Sequence, residues 1–257
     1  MLRLLVINPN TSRAMTDTIR LSAEHAAELS GLEVDTRCPS LGPESIEGRF
    51  DEIVSAYWTL DCVMSALQAE PYAGVVVACY GPHPAIEGIR EATDVPTLGI
   101  MEASVLFALP LGSRFSIVTT SPRWQPLLEE GLIQLGVEGR CASVRSSGLA
   151  VLDLDRLPPD DVRARLAAQA HAAVVDDGAE VILLGCAGMA GLQDAVAEAA
   201  GVPVIDAVAA GVAVVGALAR AGAKTSKRNR YRPVEPRPDL GPPGVPPGLA
   251  RIYQPNS

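Results

Sequence analysis

Short apolar runs alternate with longer stretches of helical period along most of the chain. Residues 2–7 are apolar except for Arg3 and predict a strand, followed by a sharp turn at Asn8-Pro9-Asn10. Thr11 and Ser12 supply N-cap oxygens for a helix over 14–29, and Gly31 stops it. A second strand is predicted at 32–36. A long helix is predicted from 45 to 68, where Ile53, Val54, Tyr57, Trp58, Leu60, Val63, Met64 and Leu67 recur at helical spacing. A strand from 74, a helix over 86–92, a strand at 97–100 and a helix at 101–109 follow. The pattern then restarts. Strands are predicted at 115–120, 137–144, 181–184 and 204–205, and helices at 126–135, 158–177, 194–199 and 207–219. In the second of these helices Val162, Leu166, Ala170 and Val174 share one face. Strand–helix alternation implies parallel sheets. The expected fold class is therefore α/β: two pseudo-symmetric parallel-sheet halves, residues 1–110 and 111–223, facing each other across the site, with a tail over 224–257.

The two halves share one device. Gly74-Val75-Val76-Val77-Ala78-Cys79-Tyr80-Gly81 and Val181-Ile182-Leu183-Leu184-Gly185-Cys186-Ala187-Gly188 are both apolar runs of strand length that end in a cysteine. Neither shows polar alternation, so each reads as a strand buried on both faces. Pro96 and Pro203 follow their cysteines at the same distance, with a helical stretch between. Each cysteine thus falls at the carboxyl end of a buried strand, where open α/β sheets place their ligands.

Composition narrows the function. With 257 residues, 48% hydrophobic and 4% aromatic, the chain can bury a substantial, mainly aliphatic core. A net charge of −9 argues against nucleic acid as a partner. No run is long enough to span a membrane, and the N-terminal apolar run is too short for a signal peptide, so a cytoplasmic location is expected. Five cysteines without a Cys-x-x-Cys spacing fit neither a zinc site nor a disulfide framework. Residues 224–257 differ in character: rich in proline, net positive, with a basic start at Lys224, Lys227, Arg228, Arg230 and Arg232. Such a tail is expected to be either disordered or docked along an acidic surface of its own or a neighbouring subunit.

Two strand-end thiols suggest acid–base work. A thiol titrates near ~8.5, within reach of both roles. A helix N-terminus after each cysteine is expected to lower its pKa and to offer peptide N–H groups for an oxyanion, at Tyr80, Gly81, Ala187 and Gly188. With one thiolate and one thiol on opposite sides of a substrate carbon, one removes a proton and the other donates one from the far face. The configuration inverts, with no metal or organic cofactor. Without such a pairing, each cysteine is a small buried hydrophobe.

The chain resembles the aspartate/glutamate/hydantoin racemase superfamily, and within it the hydantoin and allantoin racemase branch. The resemblance covers about residues 1–228. It rests on Ile7-Asn8-Pro9-Asn10-Thr11-Ser12, Gly42-Pro43-Glu44-Ser45-Ile46-Glu47, Ala78-Cys79-Tyr80-Gly81, Gly99-Ile100-Met101-Glu102-Ala103-Ser104, Leu184-Gly185-Cys186-Ala187-Gly188-Met189 and Pro203-Val204-Ile205-Asp206. It implies Cys79 and Cys186 as the acid–base pair, no cofactor, a small-molecule substrate, a site between the halves, and homo-oligomers. Asn8 is then expected to contact substrate, with Thr119 and Thr120 at the matching strand end and Ser45 and Ile46 as further candidates. Relatives in this branch commonly carry Asp-Pro after the first cysteine and glycine. Here the run is Cys79-Tyr80-Gly81-Pro82-His83-Pro84, and His83 becomes a candidate to support a thiolate or meet substrate. His25 and His171 are expected to be solvated, and Cys38, Cys62 and Cys141 to be structural. The expected activity is racemisation of a 5-substituted hydantoin or allantoin. The alternatives are a cysteine-dependent isomerase or decarboxylase of a small diacid, such as maleate isomerase or arylmalonate decarboxylase, an aspartate or glutamate racemase, and a catalytically silent small-molecule sensor.

Overall fold

The computed structural model describes residues 1–235 together with 245, 246, 248 and 249. The first half runs β1 (Arg3–Ile7), α1 (Arg13–Ser30), β2 (Glu33–Arg37), α2 (Arg49–Ala69), β3 (Gly74–Val77), α3 (Pro84–Ala92), β4 (Thr97–Gly99) and α4 (Ile100–Ala108). The second runs β5 (Phe115–Thr119), α5 (Trp124–Leu135), β6 (Cys141–Ser146), α6 (Asp153–Arg156), α7 (Pro159–Val175), β7 (Val181–Leu184), α8 (Gln193–Ala200), β8 (Val204–Ile205) and α9 (Ala207–Arg220). Each half holds a four-stranded, all-parallel sheet with the same strand order, β2-β1-β3-β4 and β6-β5-β7-β8. The two cysteine-bearing strands, β3 and β7, occupy equivalent interior positions. Their Val75–Val77 and Val181–Leu183 side chains are sealed from solvent. That burial is why these runs carry no polar alternation.

Local chemistry sets the element ends. The Ser12 hydroxyl accepts the Met15 N–H at 3.2 Å to open α1, and Gly31 closes it in the left-handed region at φ 61. Residues 45–48, expected as the start of a long helix, are instead an irregular strap. The Thr11 N–H donates to the Pro43 carbonyl at 3.0 Å and the Glu47 N–H to Asp51 Oδ2 at 2.9 Å, so α2 begins only at Arg49. The strand expected from 137 begins at Cys141. Residues 138–140 form a 3-10 turn, and the Arg140 guanidinium donates to the carbonyls of Leu109 and Gly112 at 3.2 and 2.7 Å, anchoring it.

Helix α9 does not cover the sheet that precedes it. It packs against α1, α4 and β3 of the first half, with Gly211 beneath Val76 and Val215 against Gly74. In turn α4 touches β7 and β8. The last helix of each half thus reaches across to the other, and one hydrophobic cluster runs through both. The described start of the tail is docked. Lys227 Nζ donates to the Arg90 and Glu91 carbonyls at 2.6 and 3.0 Å, and Arg230 pairs with Glu87 at 2.7 Å. The remaining tail residues, apart from 245, 246, 248 and 249, lie outside the described residues. No described helix is long and apolar enough to cross a membrane.

Candidate active site

β3 and β7 end at the seam between the halves. The Ala78 N–H donates to the Ile7 carbonyl at 2.8 Å and the Gly185 N–H to the Val118 carbonyl at 2.8 Å, so each chain leaves its sheet just before the cysteine. Gly185 is required at its position: a Cβ there would stand 2.7 Å from Ile117 and 3.0 Å from the Val118 carbonyl oxygen. Cys79 and Cys186 then line one cavity from opposite halves, with Pro9, Asn10, Met15, Ile46, Ala78, Tyr80, Thr120, Trp124, Val151, Gly185 and Ala187. The cavity between these walls is narrow, about 30 Å³, and opens to solvent. None of the lining side chains carries a formal charge.

Both thiols are held neutral. Burial pushes the Cys79 thiol well above its ordinary value, and the Glu52 carboxylate and Cys186 push it further. Burial likewise pushes Cys186 up to about 12, against a lowering hydrogen bond from the Gly188 N–H. This corrects the expectation of thiols acidified by helix N-termini. No long helix starts at either cysteine: α3 begins at Pro84, and Cys186 precedes a single 3-10 turn, Ala187–Met189. One peptide N–H is outweighed by desolvation.

The other expected site residues divide. Tyr80, Thr120, Ala187 and Ile46 line the cavity, while Ser45, Gly81, Thr119 and Gly188 stand outside that lining. The Thr119 hydroxyl donates to the Gly185 carbonyl at 3.1 Å, bracing the turn before Cys186. Asn8 is fully buried and occupied behind the wall. Its amide donates to Asn10 Oδ1 at 2.8 Å and Thr16 Oγ1 at 2.9 Å, so Asn10 faces the cavity in its place. His83 is the N-cap of α3. Its Nδ1 accepts the Ala85 N–H, which leaves the ring proton on Nε2 to donate to Ser55 Oγ at 2.8 Å. It lies against a second, separate cleft and not against the cysteine cavity. His25 and His171 are exposed. The sequence marks Asn10 only as a turn and motif residue, and does not single out Met15, Trp124 or Val151. Trp124 opens α5 beyond the carboxyl end of β5 and Val151 sits in the connection after β6, which is the one general signal that points to them.

Among the described residues no cluster of three or more His, Cys, Asp or Glu side chains could hold a metal ion. The fold and site define a class: a two-sheet α/β protein in which a cysteine from each of two like halves lines one uncharged cavity. The Asp/Glu/Hydantoin racemase family profile matches residues 4–215, and the chain belongs to that family. It is 38% identical to a hydantoin racemase from a Pseudomonas species over 93% of this chain and 95% of that one. Among solved structures it is similar to an allantoin racemase from Pseudomonas fluorescens, with a TM-score of 0.85 and 40% identity over 92% of this chain and 98% of that one. An allantoin racemase from Klebsiella pneumoniae gives a TM-score of 0.87 and 37% identity over 92% and 95%.

Proposed function

We propose that this protein racemises a small, neutral cyclic ureide, a 5-substituted hydantoin or allantoin, by proton transfer between Cys79 and Cys186. The observation that carries the reading is the meeting of both thiols in a cavity without a charged wall. A zwitterionic amino acid or a diacid brings charges that this lining does not answer, whereas a neutral ring with amide-like edges suits peptide groups and the Thr120 hydroxyl. The ring hydrogen at C5 is acidified by the neighbouring carbonyl. One cysteine, ionised, takes that proton and becomes a thiol. The other gives its proton to the opposite face and becomes the thiolate, so the next turnover starts from the opposite enantiomer. Peptide N–H groups of the turns after each cysteine serve the oxyanion that forms on the carbonyl between these steps. A desolvated thiolate is a stronger base than one in water, at the expense of its population near neutrality, so the rate is expected to rise from neutral into alkaline pH.

The same reading makes the protein a cytoplasmic homo-oligomer. Five unpaired cysteines suit a reducing compartment, and α2 presents Phe50, Ile53 and Tyr57 to solvent.

The test is incubation of each enantiomer of allantoin and of a 5-alkyl hydantoin in heavy water. Rotation should fall to zero with one deuterium gained and no other mass change. Cys79→Ser and Cys186→Ser should each abolish racemisation in a folded protein, while the surviving thiol still exchanges deuterium into one enantiomer. Full racemisation by either variant ends the two-cysteine scheme.

A further inference from the structure

The cavity's free space, about 30 Å³, has room for about two waters and not for a substituted five-membered ring. A ligand therefore has to part some of the walls. The strand-end walls are held in place, since the Ala78 and Gly185 N–H groups are bonded to sheet carbonyls at 2.8 Å. Ile46 and Val151 are held less firmly. They stand on irregular connections, after β2 and after β6, at matching places of the two halves. Glu47 Oε1 accepts the Val151 N–H at 3.0 Å, so the two connections meet across the seam and Ile46 and Val151 face one space.

This corner offers little that is polar. Neither side chain has a polar atom. The Val151 N–H is given to Glu47, and its carbonyl accepts the Leu154 N–H at 3.4 Å. The polar side chains of the lining stand elsewhere, Asn10 after β1 and Thr120 after β5. Asn10 Oδ1 is taken by the Asn8 amide and the Ser12 N–H at 2.8 and 2.9 Å. Its Nδ2 is left with Met15 Sδ, a weak acceptor, at 3.2 Å, and is free to serve a ligand instead.

We propose that Ile46 and Val151 form the subsite for the ring substituent and select an apolar one, so that the substrate is a 5-alkyl hydantoin and not allantoin. The inference rests on the racemase reading. Between the two proton transfers C5 is planar, so ring and substituent both lie in the seam and only the hydrogen changes sides. The ring's carbonyls and N–H groups use the polar walls, which leaves the substituent the corner that can part. An alkyl group sheds water there and gains contacts. The ureido group of allantoin would bury a carbonyl and several N–H bonds without partners.

The test compares single enantiomers of allantoin and of 5-isobutylhydantoin in heavy water, with kcat/KM read from deuterium entering C5. Wild type is expected to favour isobutylhydantoin by at least about tenfold. Val151→Thr changes size little and adds a hydroxyl, and is expected to cut that preference about threefold or more. Ile46→Ala strips the contact and is expected to cut it too, through a raised KM for the alkyl ring. Circular dichroism checks the fold, and either folded variant suffices. A wild type that favours allantoin, or neither ring, overturns the inference and leaves the racemase reading standing. An undiminished preference in a folded variant takes the substituent away from this corner and also overturns it. No deuterium in either ring ends the racemase reading and the inference together.

Discussion

His83 stands where the Asp-Pro of related sequences would suggest a substrate contact, yet its ring is spent on structure. It caps α3, donates to Ser55 and is 1% exposed, and burial pulls its pKa down to about 3. The neutral ring is the favoured form in the folded state. The stability this contributes is present above the ordinary value of about 6.5 and is lost as pH falls toward the folded value. The full swing amounts to about 5 kcal/mol. His83→Asn keeps a cap acceptor without a titrating ring, and is expected to lose about 1 kcal/mol near neutrality while flattening the acid limb. Urea midpoints collected from neutral to acid pH check this. An unchanged acid dependence in the variant would assign the acid limb to other groups. The thiols follow the opposite sign. Their raised values add stability at neutral pH that drains away as pH climbs through about 11 for Cys141 and about 12 for Cys186.

At the scale of elements, α9 is the piece whose placement matters most. It belongs by sequence to the second half and by packing to the first. The contact is close because glycines face it. A Cβ on Gly74 would meet Val215 Cγ1 at 2.3 Å and the Pro96 carbonyl oxygen at 3.2 Å. Valine is stiff at χ1 and a backbone carbonyl cannot swing aside, so Gly74→Ala should cost about 1–3 kcal/mol through overpacking. Gly139→Ala is the matched control: nothing lies within 4 Å of its added Cβ, and the change should stay within about 0.5 kcal/mol. Thermal unfolding of the two variants side by side decides the point. Equal melting temperatures would mean that α9 shifts without strain.

For the whole molecule, charge and site have been kept apart. The chain carries −9 overall, yet the lining of the cavity between the halves has no charged side chain. The seam is tied instead by polar contacts outside it, Arg49 to Glu130 at 2.7 Å and the Val151 N–H to Glu47 Oε1 at 3.0 Å. A neutral ureide feels little of the protein's field, so kcat/KM should change less than about twofold across a tenfold range of salt. A steep salt dependence, measured by polarimetry, would point to an anionic substrate and against the ureide.

The repeated apolar run ending in Cys79 and Cys186 was legible in the chain itself. Burial on both faces of a strand removes polar alternation, and a strand end is a position that local sequence marks. The same holds for the two parallel sheets and most helix ends, where Ser12 and Gly31 write the boundary in their own side chains or lack of one. The long-range choices were not legible. Local periodicity identifies an apolar helix over 207–219 but not which sheet receives it, because either sheet offers an aliphatic face. Nor does it separate Asn8 from Asn10, since the turn at Pro9 decides which amide faces the cavity and which braces the wall. Glu52 reads along the chain as an ordinary acid in the first turn of a helix. Its burial against the turn that follows Cys79, and the raised proton affinity of both thiols, arise only once the halves pack together and bury these groups.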